Sequence, residues 1–241
     1  MTSSPIASSQ VANQSGHRAI ASPWHSAVVL LILIGMSFAG ARSGGLPGIS
    51  AYGRAGGYLV VILLEWLTVA FIWYGVSRRR IRMAELVGGR WARPADVFRD
   101  LGIGIAFLLV CGIGVVNALG HLLGVVDNQA IRQMLPQTRT EMILWCLMSL
   151  TAGFCEELIF RGYLQRQFSA LTRSAMGGIV LQGIAFGAGH GYQGWKFMLI
   201  IAVFGTTFGL LAQWRRSLRP GMIAHFVQDA MGGLLARYLM H

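Results

Sequence analysis

Two adjacent carboxylates and an arginine lie inside a long apolar segment. Glu156 and Glu157 are followed by Arg161, in a run that is apolar from about Met142 onward. A charged side chain at the bilayer centre costs about 2.5–3.5 kcal/mol even on lenient insertion scales. On a helix, Glu157 and Arg161 are one turn apart and can pair, whereas Glu156 points about 100° away. We therefore expect one paired and one free carboxylate, although charges at a helix end can also simply mark the membrane surface.

Two later segments bring further ionisable residues into apolar surroundings. His190 follows Phe186 by four residues, and His225 precedes Asp229 by four. Residues at this spacing share a helix face. A carboxylate beside an imidazole fixes its tautomer and raises its basicity. We expect these groups to face the bundle interior or a wet cavity, as intramembrane charges usually do.

Glutamate, histidine and aspartate together suit hydrolysis by two routes. In the first, His190, His225 and Glu157 bind zinc, which lowers the pKa of a bound water, while the other glutamate is the general base. In the second, no metal is needed. Glu156 deprotonates water, His190 orients it, and His225 with Asp229 stabilises the oxyanion. Both routes describe attack on a carbonyl compound, most simply a peptide bond.

The composition indicates a membrane protein with several spans. Of 241 residues, 54% are hydrophobic and only 12% are charged, against about 25% charged in typical soluble domains. The net charge is +11, but the arginines fall in short loops between apolar runs. That pattern follows the positive-inside rule and reports topology rather than nucleic-acid binding.

The apolar segments predict an all-α bundle of about seven transmembrane helices, within a range of six to eight. The predicted spans are 24–41, 57–77, 101–124, 141–166, 174–191, 195–214 and 220–240. The arginine-rich loop 78–100 is expected on the cytoplasmic side of the cell (inner) membrane, together with the amino terminus. The domain division that follows is a disordered cytoplasmic tail at 1–22, N-terminal spans at 23–136 and catalytic helices at 137–241.

Three other features carry structural expectations. Glu65 is a lone carboxylate in the second span, for which a structural pair is expected. His25 has no partner at useful spacing, so an interfacial position is expected. Small residues at every fourth position predict close helix packing in spans five and six. These residues are Gly183, Gly187 and Gly191 in one span and Gly205 and Gly209 in the next.

The three motifs resemble those of a known family. Glu156-Glu157-x-x-x-Arg161, Phe186-x-x-x-His190 and His225-x-x-x-Asp229 are similar in order and separation to the CPBP family, across roughly 140–235. This family comprises the type II CAAX prenyl endopeptidases and the bacteriocin-processing or immunity (Abi) proteins. The resemblance implies an all-helical intramembrane protease fold with both glutamates and both histidines catalytic. Both metallo- and glutamate-type mechanisms have been described for it.

One position departs from the family pattern. The third motif often ends in Asn, whereas this chain has Asp229. An ionised aspartate cannot donate a hydrogen bond, so a purely donor role at the oxyanion is disfavoured and a metal is slightly favoured.

The expected function is an intramembrane endopeptidase acting on a membrane-associated peptide or protein. Arg161 and Phe186 are expected to support the site. The expected partners are membrane lipid and the substrate, without nucleic acid. The alternative is a non-catalytic membrane protein that binds a bacteriocin-like peptide or a partner protein. A proton-coupled carrier ranks last.

Helix geometry poses one difficulty for a shared site. At a rise of 1.5 Å per residue, His190 would lie about 26 Å above Arg173, whereas His225 would lie only about 9 Å above Arg219. If both arginines mark one membrane surface, the two histidines do not meet. Either the fifth span begins deep in the protein, or the fourth span continues past the membrane plane.

Overall fold

The computed structural model describes residues 18–125 and 129–239, and these are helical without strands. The predicted tail at 1–22 lies mostly outside the described residues. A single 3-10 turn, Gly191–Gln193, precedes the eighth helix. The helices are α1 Pro23–Ser43, α2 Ile49–Ser77, α3 Met83–Val87, α4 Pro94–Leu122, α5 Gln129–Met134, α6 Arg139–Thr172, α7 Ala175–Gly189, α8 Trp195–Arg215 and α9 Arg219–Leu239.

The all-α fold is confirmed, but the count of seven spans is not. Five helices in the described ranges (α1, α2, α4, α6 and α8) are long and apolar enough to cross a membrane. Helix α7 has only 15 residues, and α9 falls outside this group of five.

Helix α6 carries the first motif and is the longest helix described. Thr138 caps its start: the Thr138 hydroxyl accepts from the Glu141 amide, and the Glu141 carboxylate accepts from the Thr138 amide. This reciprocal capping box satisfies two amides that would otherwise lack partners. The helix runs for 34 residues, or about 51 Å, which exceeds a hydrocarbon core of about 30 Å. Its Glu157–Leu164 segment is π-helical.

Helices α7 and α8 pack closely, because glycines line their contact. A Cβ atom on Gly183 would lie 2.8 Å from the carbonyl oxygen of Ala202, and one on Gly187 would lie 2.8 Å from the Ala202 Cβ. Neither position has room for a side chain. The predicted small-residue packing is therefore confirmed here, and it holds Phe186 and His190 at a defined position.

His25 is a buried connector between helices, so the expectation that it has no partner is wrong. The side chain is 1% exposed. Its Nε2–H donates to the carbonyl oxygen of Phe71 at 2.9 Å, because a carbonyl can only accept. The Tyr163 hydroxyl therefore donates to the other ring nitrogen, Nδ1, at 2.7 Å. These bonds join α1 to α2 and α6.

The chain just before α1 is also anchored on α6. The amides of Ile20 and Ala21 both donate to Oε1 of Gln167, and Ala21 is buried. These residues fall within the tail that the sequence predicts to be disordered to residue 22. Ile20 and Ala21 are therefore anchored to the helix bundle, which the sequence did not predict.

The arginine-rich connections meet at one end of the bundle. The Leu218 amide donates to the carbonyl of Val87, which joins the loop after α8 to the loop after α3. Buried Asp100 lies 3.3 Å from Arg215 and 3.6 Å from Arg219. The common end agrees with the predicted common side of these loops. That this end of the bundle faces the cytoplasm stays a prediction.

Candidate active site

One of the two adjacent glutamates is bound to arginine inside the protein. Nη1 of Arg161 donates to Oε1 of Glu157 at 2.9 Å, and both side chains are almost completely buried. Glu157 is the first residue of the π-helical segment. The changed helix winding therefore leaves the expected pair in place.

Aromatic rings and a carbonyl complete the surroundings of this arginine. The guanidinium carbon of Arg161 lies 4.4 Å from the ring centre of Phe186 and 4.8 Å from that of Phe208. Nη2 donates to the carbonyl oxygen of Gly205 at 3.1 Å. Cation–π contacts and charge-assisted hydrogen bonds offset the cost of burying the charge. These contacts give a physical basis for the supporting roles expected of Arg161 and Phe186.

His225 on α9 stands among three carboxylates. Its Nδ1 lies 3.2 Å from Oε1 of Glu157. Its Nε2 lies 3.6 Å from Oε2 of Glu156 and 3.5 Å from Oδ2 of Asp229. The expected proximity of His225 and Asp229 on one helix face is therefore present. A carboxylate faces each ring nitrogen, and a histidine can donate from both nitrogens only in its charged form.

His190 lies at the carboxyl end of α7 with one nitrogen committed to the backbone. Nδ1–H donates to the carbonyl oxygen of Phe186 at 2.8 Å, which leaves the lone pair on Nε2. Helix α1 holds the adjacent chain. The Ser37 hydroxyl donates to the carbonyl of Ala188 and accepts from the amide of Gly191, both at 3.0 Å.

Groups from α6, α7 and α9 meet in one cavity of about 390 Å³. Glu156, His190, His225 and Asp229 all line it, whereas Glu157 does not. His190 and His225 therefore line the same cavity, although the rise per residue suggested that they lie at different depths. The long α6, which continues to Thr172, fits the second of the two explanations. Apolar side chains form much of the remaining wall, including Trp145, Met148, Phe186, Phe197 and Phe204.

Glu65 of α2 belongs to this cavity, which the sequence did not favour. It is 4% exposed, lines the cavity, and its carboxyl group lies within hydrogen-bonding reach of that of Glu156. Among the described residues it has no basic partner, so the expected structural pairing takes the form of a contact with another carboxyl group, that of Glu156. Oε2 of Glu65 is buried without a hydrogen-bond partner. In the sequence, the feature that pointed to a place for Glu65 in the site was a single acidic residue within an apolar span.

Close contact between α6 and α9 brings the first and third motifs together. A Cβ atom on Gly153 would lie 2.9 Å from the amide nitrogen of Phe226. One on Gly221 would lie 2.8 Å from Oε2 of Glu157. At Gly153 the neighbouring atoms belong to the α9 backbone, so a side chain would push the two helices apart. At Gly221 a side chain would displace the Glu157 carboxylate, which contacts His225.

The donors of the expected zinc site do not form a metal-binding group. Within 18–125 and 129–239, no three His, Cys, Asp or Glu side chains are arranged to hold a metal ion. Oε1 of Glu157 already contacts both Arg161 and His225, and Glu157 is outside the cavity that His190 lines. This arrangement does not fit a three-ligand zinc site. Participation of zinc stays a prediction.

Comparisons with known proteins agree with the motif pattern. Residues 138–231 match the family model described as type II CAAX prenyl endopeptidase, Rce1-like. The chain is also 32% identical over 182 residues to the uncharacterized protein YpbD of Bacillus subtilis (strain 168), which covers 74% of this chain and 76% of that protein. No solved structure matches the chain.

Proposed function

Because this chain belongs to the Rce1-like type II CAAX prenyl endopeptidases, a protease family of membrane proteins, we propose that it is an intramembrane endopeptidase. Its substrate is a membrane-associated peptide or protein, and its nucleophile is a water molecule activated by Glu156. The observation on which this proposal rests is that the two adjacent glutamates have different surroundings. Glu157 is paired with Arg161, and Glu156 lines a cavity with both histidines.

Glu156 is the general base in this proposal. Its Oε2 atom is buried without a hydrogen-bond partner, 3.6 Å from Nε2 of His225, and can accept a proton from water. The water oxygen then bonds to the carbonyl carbon of the peptide, whose oxygen becomes an oxyanion. When the C–N bond breaks, Glu156 returns the proton to the leaving amine. General base catalysis of this kind contributes about 10²–10⁴-fold in rate.

The two histidines have different tasks. The lone pair on Nε2 of His190 accepts a hydrogen bond from the water and orients it, because Nδ1–H is held by the carbonyl of Phe186. His225 donates to the oxyanion, with Glu157 holding its Nδ1 side. Donors that are fixed before the reaction stabilise the developing charge without reorganisation.

Asp229 orients His225 before the reaction rather than touching the oxyanion itself. Its carboxylate lies 3.5 Å from Nε2 of His225, and an ionised aspartate can only accept. Nε2–H then turns from Asp229 to the oxyanion as the negative charge develops. The indole N–H of Trp145 donates to the backbone oxygen of Asp229 at 2.8 Å, which ties this turn of α9 to α6. The departure from Asn in the third motif is therefore compatible with the proposed reaction.

The cavity suits an apolar or amphipathic peptide. Aromatic and aliphatic side chains surround the polar groups, and pockets of this type bind chains through apolar contact while a few polar groups orient them. The proposal requires no prenyl group on the substrate.

The test compares new peptide termini in membranes of cells that express the wild type, Glu156→Gln or Glu141→Gln at matched levels. Glu141→Gln is the matched control, since Gln also completes a capping box at the start of the same helix. Termini that appear with the wild type and the control, but not with Glu156→Gln, are expected. Identical termini from all three folded proteins would contradict the proposal and favour the non-catalytic binding role.

A further inference from the structure

A second and larger cavity opens at the arginine-rich end of the bundle, away from the proposed active site. Its volume is about 820 Å³, and the arginines among its lining residues include Arg18, Arg79, Arg166 and Arg216. No aspartate or glutamate is among the described residues that line it. The lining residues therefore include several positively charged side chains and no acidic one.

Two acids lie near this end of the bundle but do not line the cavity. Oε1 of Glu85 accepts from the backbone amide of Arg82, and the charge of Glu85 also acts on Arg166. Asp100 contacts Arg99, Arg215 and Arg219. In the described part of the chain, Arg79 and Arg216 form no ion pair, so their charges are available to a ligand.

Two buried polar side chains form part of the same wall. Arg161 and Gln165 both line the cavity and are at least nine-tenths buried. Nε of Arg161 and Oε1 of Gln165 have no hydrogen-bond partner among the described residues. Both atoms are themselves covered from solvent, so the charges available to a ligand are those of the arginines that line the opening.

The first turn of α7 adds a further attraction for anions. Ala175, the first residue of that helix, lines the cavity. The Ser174 hydroxyl accepts from the Gly177 amide, so one amide of this turn already has a partner, but the helix dipole still favours negative charge there. Arginine side chains and a helix start together are typical of phosphate sites.

We propose that this cavity binds an anionic phosphate group, carried either by a phospholipid headgroup or by free phosphate. The cavity lies at the ends of the membrane helices, where headgroups lie, and its wall also contains the apolar residues Ile20, Ile81, Leu86 and Leu218. The proposal does not depend on proteolysis. Its test is a binding measurement, whose failure leaves the proposed reaction untouched.

The experiment uses the purified full chain in a neutral detergent and isothermal titration calorimetry. The probes are dihexanoyl phosphatidylglycerol, dihexanoyl phosphatidylcholine and sodium phosphate. The variant is Arg79→Gln/Arg216→Gln. The control is Arg78→Gln/Arg90→Gln, which removes the same charge from the connections between α2 and α4 but from residues that do not line the cavity. Thermal unfolding of each variant establishes that it is folded.

We expect saturable binding of the phosphatidylglycerol probe, weakened about 10- to 30-fold in the cavity variant and less than about 3-fold in the control. Phosphatidylcholine should bind much more weakly, because its choline offsets the phosphate charge. Competition by sodium phosphate would identify the phosphate group alone as sufficient, and its absence would assign the site to the lipid headgroup.

Two results would overturn the inference. The first is no saturable binding of either phosphatidylglycerol or phosphate to the folded wild type. The second is equal weakening in both double variants, since binding would then follow net charge rather than the cavity. If the double variant does not fold, the single variants Arg79→Gln and Arg216→Gln replace it, with Arg78→Gln and Arg90→Gln as their controls.

Discussion

Oε1 of Glu157 lies 2.9 Å from Nη1 of Arg161 and 3.2 Å from Nδ1 of His225, so this carboxylate joins the π-helical segment of α6 to α9. Its neighbour Glu156 lines the cavity instead. Two identical side chains that are adjacent in sequence thus have different surroundings. The predictions below follow from this division and from the packing that maintains it.

The two glutamates should respond differently to the same substitution. Glu156→Gln removes the proposed base and should lower the cleavage rate about 10²–10⁴-fold with little change in stability. Glu157→Gln leaves the buried charge of Arg161 without its carboxylate and should lower the free energy of unfolding by about 3–5 kcal/mol. Cleavage of an identified substrate in liposomes and thermal unfolding in detergent measure the two effects. The reverse pattern would assign the base to Glu157.

Loss of the arginine should be costly because it leaves a buried carboxylate unpaired. We expect Arg161→Met to lower the free energy of unfolding by about 3–5 kcal/mol. In the double variant Glu157→Gln/Arg161→Met, part of this loss should be recovered, since no charge is left without its partner. Unfolding curves of the wild type, both single variants and the double variant form the cycle. A fully stable and active Arg161→Met protein would contradict the pairing argument.

Replacing Asp229 with Asn should have only a modest effect on the cleavage rate. In Asp229→Asn the amide oxygen can still accept from His225, and the amide nitrogen can donate to an oxyanion. We expect cleavage within about 10-fold of the wild type, whereas Asp229→Leu should lose about 10²-fold or more because His225 is no longer oriented. The rates of both variants on one substrate decide this. Similar rates for Asn and Leu would show that Asp229 does not orient the histidine.

Close packing of α7 on α8 should be sensitive to a single methyl group. A Cβ atom on Gly187 would overlap the carbonyl oxygen of Met198, so Gly187→Ala should cost about 1–3 kcal/mol and displace His190. Gly35 on α1 is the matched control, because a Cβ there meets no atom within 4 Å. Gly35→Ala should be neutral or stabilising by up to about 1 kcal/mol. Thermal unfolding measures the change in stability of both variants. An equal change for Gly187→Ala and Gly35→Ala would contradict the packing argument.

Metal removal should leave cleavage intact. The donors around His225 form no three-ligand group among the described residues, and Glu157 is held by Arg161. We therefore expect activity to persist after 1,10-phenanthroline treatment, and elemental analysis to find less than one zinc per chain. Loss of activity that zinc restores would instead support the metal-dependent route.

Local features of this protein followed from its sequence. Apolar segments of membrane-spanning length predicted the all-α class, and the i, i+4 spacing predicted the contacts of Glu157 with Arg161 and of His225 with Asp229. Such contacts depend on helix geometry within one segment, which the order of residues sets. The glycine spacing likewise predicted the close approach of α7 and α8.

Only the tertiary structure decided which segments meet. The rise per residue placed His190 and His225 at different depths, yet both line one cavity, because α6 extends to Thr172 and α7 packs tightly on α8. Glu65 joined the site and His25 became buried through packing of α2 and α1 against α6. The cavity is lined by residues that are far apart in the chain, such as Glu65 and His225, which are separated by 160 positions. Periodicity acts over one helix at a time, whereas the depth and rotation of each helix depend on how all the helix surfaces pack together.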